Sequence, residues 1–255
     1  MAIRLVTFDA LHTLITPRRP IHVQYSEVFA PFLGVLDPNL IKRSFNVALK
    51  DVQVESPAYS QGADAWWGEV IRRTALGAGA DERVLDASIH KIVPTLLERF
   101  SSREGYTAFE DAIPTIQHLH DELGVATAVI SNGDSRIRSV IRDLGFPPYL
   151  SPIILSEEEG VEKPARKIFE RALSLVNVNN GKTSIDLKMT ECLHVGDELV
   201  CDFQGASEAG MQGFLLRRTG PDGEQAHKEP DESLNGVEVI KNLEEVVSFV
   251  TARNS

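Results

Sequence analysis

Cysteine is nearly missing: 255 residues contain only Cys192 and Cys201, and these do not form a C-x-x-C pair. That excludes a disulfide framework and offers no zinc site, and it predicts a reducing interior compartment, cytoplasmic or nuclear. Uninterrupted apolar runs are also missing. None approaches the roughly 18 residues of a membrane span. Positive charge is short, with 26 Lys and Arg against 37 Asp and Glu and a net charge of −11. Such a balance argues against nucleic acid or an anionic membrane surface as partner, while a local patch can still hold a small anion. Near the N-terminus, Arg4 followed by Asp9 and His12 inside the apolar run makes a poor secretory signal. The seven histidines are scattered. His118 and His120, two apart on a predicted helix, point in different directions and do not share a metal.

What is present is an ordinary globular composition, 42% hydrophobic and 25% charged, with enough apolar residues for a sizeable core. Leu5-Val6-Thr7-Phe8 reads as a strand buried on both faces. It ends on Asp9, where open α/β sheets bind their ligands. An uncompensated carboxylate there is costly, so its placement suggests a purpose. Pro17 and Pro20 then break regularity as a hinge. Between His22 and Phe100 the apolar spacing predicts four amphipathic helices. Their cores are Tyr25–Phe32, Leu40–Leu49, Ala65–Ala75 and Val84–Phe100, the last with a kink expected at Pro94. Trp66 and Trp67 are adjacent, so both cannot face the bundle core. The expected organisation is a helical insertion over 17–103 in an α/β domain of 1–16 and 104–255.

From Ser101 onward strands and helices alternate. Helices are expected over 111–123, 135–144, 165–175, 203–209 and 243–251. Strands are expected over 125–130, 152–155, 192–195, 213–216 and 237–240, with a polar linker at 177–184 and a surface loop at 219–235. The alternation implies a Rossmann-like, doubly wound parallel sheet with helices on both faces.

Four strand ends carry polar clusters directly after apolar runs: Asp9 with Thr13, Ser131 with Asn132, Lys163 with Pro164, and Asp197 with Asp202. In a parallel sheet these ends converge on one edge. Carboxylates gathered there repel one another unless a divalent cation sits among them, and a few hard oxygen ligands suit Mg²⁺. Ser131 and neighbouring amides can hold anionic oxygens, and Lys163 can neutralise them as a point charge.

With Phe8-Asp9-Ala10-Leu11-His12-Thr13-Leu14, Ile130-Ser131-Asn132-Gly133-Asp134, Glu162-Lys163-Pro164 and Gly196-Asp197-Glu198-Leu199-Val200-Cys201-Asp202, the chain resembles the haloacid dehalogenase-like (HAD) hydrolase superfamily with a helical C1 cap. The resemblance covers nearly the whole chain. It implies that Asp9 is a nucleophile forming an aspartyl-phosphate, with Ser131 binding the phosphoryl group and Lys163 stabilising its charge. It also implies substrate contacts from Thr13, Asn132 and Gly133, and Mg²⁺ held by Asp9, the Leu11 carbonyl, Asp197 and Asp202. The expected partner is a small phosphorylated or other anionic substrate.

One position departs from the pattern. The superfamily's phosphatases read Asp-x-Asp-x-Thr, and the second Asp, their general acid and base, is Leu11 here. General acid–base help is worth about 10²–10⁴-fold, so the resemblance implies a slow phosphohydrolase or a HAD-fold binding protein. In an extended chain His12 points away from the side chain before it. Dehalogenases of the superfamily carry Tyr at the position of Leu11 and lack the Gly-Asp motif, so Gly196-Asp197 counts against that chemistry.

Overall fold

A computed structural model of the chain describes residues 1–179, 186–223, 228 and 232–255. Most of the expected linker at 177–184 and part of the expected loop at 219–235 lie outside the described residues. The chain divides into two compact units. One comprises Met1–Thr16, Ala108–Gly133 and Gly145–Ser255; the other comprises Pro17–Thr107 and Asp134–Leu144.

The second unit is helical: α1 (Ile21–Leu33), α2 (Pro38–Glu55), α3 (Ala63–Gly77) and α4 (Glu82–Arg99). Asp37 caps α2 by accepting the Asn39 N–H at 2.8 Å, and Asp81 caps α4 by accepting the Val84 N–H at 3.0 Å. Pro94 lies inside α4, and the helix continues past it to Arg99. The core combines Tyr25, Phe29, Ile41, Phe45, Trp66, Val70, Leu85 and Ile92. Trp66 is buried and Trp67 is half-buried, which resolves the pair of tryptophans as their adjacency requires.

A boundary at 103/104 assigns 134–144 to the sheet domain, whereas the structure groups Asp134–Leu144 with the helices. The chemistry is specific. Asp134 accepts the Trp67 indole N–H at 2.8 Å, and the Arg136 guanidinium lies 4.6 Å from the Trp67 ring. Asp143 accepts the Arg103 N–H at 2.7 Å.

The first unit is built on a six-stranded sheet of β1 (Leu5–Phe8), β4 (Ala126–Ser131), β5 (Leu150–Leu155), β6 (Cys192–Gly196), β7 (Gln212–Leu216) and β8 (Val239–Ile240). Two further strands, β2 (Ile15–Pro17) and β3 (Tyr106–Ala108), pair separately. The large sheet has the order β5-β4-β1-β6-β7-β8 and its pairings are parallel. Central β1 is buried at all four positions, which is why its sequence shows no alternation. Phe8 is in register with Val129 on one side and Val195 on the other, so the chain leaves β1, β4 and β6 side by side.

Helices of the same unit flank the sheet: α5 (Ala112–Gln117), α7 (Ser156–Glu159), α8 (Arg166–Asn179), α9 (Gly205–Ala209) and α10 (Glu244–Asn254); α6 (Arg136–Asp143) is grouped with the helical unit. The helix expected over 111–123 runs as α5 and then a π-helical turn at His118–Glu122. A second π-helical turn, Leu199–Gln204, precedes α9 and brings Asp202 back toward β6. Leu5, Ile130, Ile154, Ile168, Phe169 and Ala172 form the core between sheet and helices. Among the described residues no helix is long and apolar enough to cross a membrane.

Candidate active site

The sheet brings Asp9, Lys163 and Asp202 into direct contact. Lys163 Nζ donates to Asp9 Oδ1 at 2.6 Å and to Asp202 Oδ1 at 2.6 Å, with all three side chains almost excluded from solvent. A buried ammonium is tolerable only when its charge and donors are satisfied, and here two carboxylates do both. Burial opposes the charge on Lys163, but Asp202 and Asp9 raise its pKa above the ordinary lysine value.

The carboxyl groups differ. Burial pushes Asp9 up to about 6 against the pull of Lys163, and Asp202 and Glu198 add to the rise. Asp202 is equally buried, yet Lys163 and the His194 hydrogen bond hold it below the usual carboxylate range. Its Oδ1 also receives His194 Nε2 at 3.1 Å, and its Oδ2 receives the Glu198 N–H at 2.9 Å. Gly196 makes this approach possible, because a Cβ there would lie 2.1 Å from Asp202 Cγ.

Both Asp202 oxygens accept hydrogen bonds, and Asp202 anchors Lys163. Besides Asp202, the donors expected for a hard cation are Asp9, the Leu11 carbonyl and Asp197. Among the described residues no group of three or more His, Cys, Asp or Glu side chains is placed to hold a metal. Two carboxylates with a main-chain carbonyl nevertheless suit Mg²⁺, which keeps sites for water and phosphate. Asp197 is buried, and its carbonyl accepts from the Arg217 guanidinium.

Three other expectations are refined. The Asn132 amide is committed to the Lys163 main chain, accepting its N–H at 2.7 Å and donating to its carbonyl at 2.9 Å, so it positions the lysine. Thr13 is fully buried, and its carbonyl accepts Arg218 Nη2 at 3.0 Å. Its hydroxyl has no hydrogen-bond partner among the described residues, and its N–H donates to the Ala10 carbonyl at 3.4 Å within the turn that follows Asp9. That turn is not extended: the N–H groups of Leu14 and Ile15 each donate to the Ala10 carbonyl at 2.9 Å, and His12 has φ +61°. The alternation argument about His12 therefore does not apply. Ser131 is buried at the end of β4, and the Gly133 carbonyl accepts from Ser156 Oγ at 3.3 Å and the Glu157 N–H at 3.2 Å.

Sequence reading missed His194 and Thr7. Both sit inside strands and pass for filling, although a histidine three residues before Asp197 in an apolar strand is itself a signal.

A family model described as haloacid dehalogenase-like hydrolase matches residues 3–210. The chain belongs to the haloacid dehalogenase-like hydrolase family. It is 29% identical over 229 residues to haloacid dehalogenase-like hydrolase domain-containing protein 3 of Danio rerio, covering 88% of each chain. In fold it is similar to a defluorinating L-2-haloacid dehalogenase, with a TM-score of 0.73 at 14% identity, covering 98% of this chain and 95% of that one. It is also similar to the putative HAD-hydrolase YfnB from Bacillus subtilis bound to magnesium, with a TM-score of 0.67 at 17% identity, covering 98% and 100%. As a HAD-like hydrolase the chain has the Rossmann-like sheet expected of it.

Proposed function

We propose that this HAD-like hydrolase is a Mg²⁺-dependent phosphohydrolase restricted to substrates with good leaving groups, acyl phosphates above all. The observation that carries the reading is the bond from Lys163 Nζ to Asp9 at the end of β1, beside the Gly196-Asp197 turn. Asp9, Asp197 and the Leu11 carbonyl would hold the cation, and a neighbour of the same fold is described as bound to magnesium. When bound, Mg²⁺ supplies charge neutralisation between the carboxylates and the phosphoryl oxygens.

Asp9 attacks phosphorus through its second oxygen. The new O–P bond forms as the bond to the leaving oxygen breaks, giving an aspartyl-phosphate. Water then attacks phosphorus, breaks that O–P bond, releases inorganic phosphate and restores the carboxylate. Lys163 balances negative charge in both steps, and Ser131 holds a phosphoryl oxygen. Leu11 can neither protonate a departing alkoxide nor take the proton of the attacking water. An acyl phosphate loses a carboxylate, which needs no proton, so the first step tolerates leucine. The second step is then the slow one.

A second reading follows from Leu11 itself: a protein that binds phosphate and Mg²⁺ without useful turnover. Purified protein assayed on acetyl phosphate and on an aryl phosphate, with and without Mg²⁺, separates the two. Turnover of acetyl phosphate that needs Mg²⁺ and disappears in Asp9→Asn supports the enzyme. Inert wild type with an active Leu11→Asp variant supports the binding protein. Halide release from 2-chloropropionate in the presence of chelator would overturn both.

A further inference from the structure

His194 on β6 is completely buried, yet neither ring nitrogen is idle. Nε2 lies 3.1 Å from Asp202 Oδ1, and Nδ1 lies 2.8 Å from the Thr7 hydroxyl on neighbouring β1. Thr7 and His194 occupy paired positions of the two strands, which fixes this contact by sheet register. The Phe169 ring meets the imidazole edge-on at 5.2 Å and limits its tilt.

The polarity of the chain follows from what each group can do. An ionised Asp202 only accepts, so the hydrogen must sit on Nε2. The ring is completely buried, where an extra charge is costly, and a neutral ring with its hydrogen on Nε2 leaves Nδ1 as an acceptor. The Thr7 hydroxyl, whose other acceptor is the Leu193 carbonyl at 3.4 Å, then gives its single hydrogen to the nearer Nδ1 at 2.8 Å. Asp202 thus receives two neutral donors, the ring N–H and the Glu198 N–H, alongside the Lys163 ammonium. Two fixed neutral bonds prevent the carboxylate from turning. They also satisfy part of its charge without spending that of Lys163, which remains shared with Asp9.

We propose that Thr7 and His194 are positioning residues: the pair locks the Asp202 carboxylate and, through it, aims the Lys163 ammonium at Asp9. This rests on the phosphohydrolase reading for its kinetic consequence, but its structural content does not. Buried partners that orient a site residue are typically worth about 10–100-fold in activity.

The test pairs two measurements on the full chain. The first is ¹⁵N NMR of the imidazole at neutral pH. We expect His194 as the Nε2–H tautomer, with that preference weakened in Thr7→Val; an Nδ1–H ring in wild type would overturn the proposal. The second is steady-state hydrolysis of acetyl phosphate with Mg²⁺ by His194→Gln and His194→Phe, each checked for folding by circular dichroism. Glutamine keeps a donor near Nε2 and phenylalanine keeps only the shape. The expected result is a kcat loss of about 10-fold or more in His194→Phe with little change in KM, and substantial recovery in His194→Gln. Equal loss in both variants, or unchanged kcat in folded His194→Phe, would overturn the positioning role. Wild type inert on acetyl phosphate would sink the phosphohydrolase reading instead, leaving the tautomer to decide the clamp.

Discussion

Asn132 grips Lys163 by both main-chain groups, with its side chain closing bonds of 2.7 and 2.9 Å across 31 residues of sequence. The lysine is therefore fixed at its backbone by the strand end that also carries Ser131. Each bond contributes about 0.5–1.5 kcal/mol, so Asn132→Ala is expected to lower stability by about 1–3 kcal/mol. It should also reduce acetyl phosphate turnover, because the lysine loses its register with Asp9. Urea unfolding beside steady-state kinetics checks both, and full activity in Asn132→Ala would contradict the arrangement.

Gly196 is required by the carboxylate beside it. A methyl group at that position would meet Asp202 Cγ at 2.1 Å and Oδ2 at 2.2 Å, with Asp202 held by bonds on both oxygens. Gly196→Ala should thus destabilise by about 1–3 kcal/mol, in the range of an overpacked core, and should displace Lys163. A melting temperature equal to wild type would show that the β6 turn relaxes freely.

Leu11→Asp restores an acid and base where the superfamily's phosphatases have one. Its gain should be about 10²–10⁴-fold in the hydrolytic step that both substrates share, with a further gain for aryl phosphates, whose leaving group also takes up a proton. Comparison of kcat on the two substrates reads this directly. Equal gains on both would locate the defect in the hydrolytic step alone.

Acid should weaken the helical unit through Asp134. Burial raises this carboxyl, but the hydrogen bonds and charge of Arg136, with the Trp67 N–H, hold it below its ordinary value of 3.8. A depressed folded-state pKa contributes stability that is fully present above the unfolded value and is lost as pH falls through the folded one. The difference in urea midpoint between wild type and Asp134→Asn should accordingly be constant above about pH 5 and shrink below about pH 4. A difference that grew on acidification would reverse the sign and refute the assignment.

The fold was legible because buried parallel strands leave apolar runs that stop at polar residues, and Asp9, Ser131 and Asp197 all sit at such stops. Asp202 was visible as a carboxylate but not as an anchor. Its partners Lys163 and His194 come from other parts of the chain, and the π-helical turn Leu199–Gln204 that returns it to β6 has no simple periodic signature. The turn at His12 was illegible for a different reason: a histidine at φ +61° is held by its N–H bond to the Ile15 carbonyl and by the bonds that Leu14 and Ile15 make to Ala10, not by its own preference. The grouping of Asp134–Leu144 with the helices depends on Trp67 meeting Asp134, a contact across 67 residues that spacing cannot reveal.

Magnesium binding can be separated from turnover. If Asp9, Asp197 and the Leu11 carbonyl hold the cation, ligand binding to the folded state must stabilise it by mass action, about 2.7 kcal/mol at a hundredfold excess over Kd. Mg²⁺ with inorganic phosphate should raise the melting temperature of wild type above the value with either alone, since each neutralises the other in the pocket. In Asp197→Asn the magnesium-dependent part of that rise should vanish. In Asp202→Asn it should survive if the fold does, because Asp202 spends its oxygens on Lys163, His194 and the Glu198 amide. Loss of the shift in Asp202→Asn but not in Asp197→Asn would return Asp202 to the ligand set and remove it as the lysine's anchor.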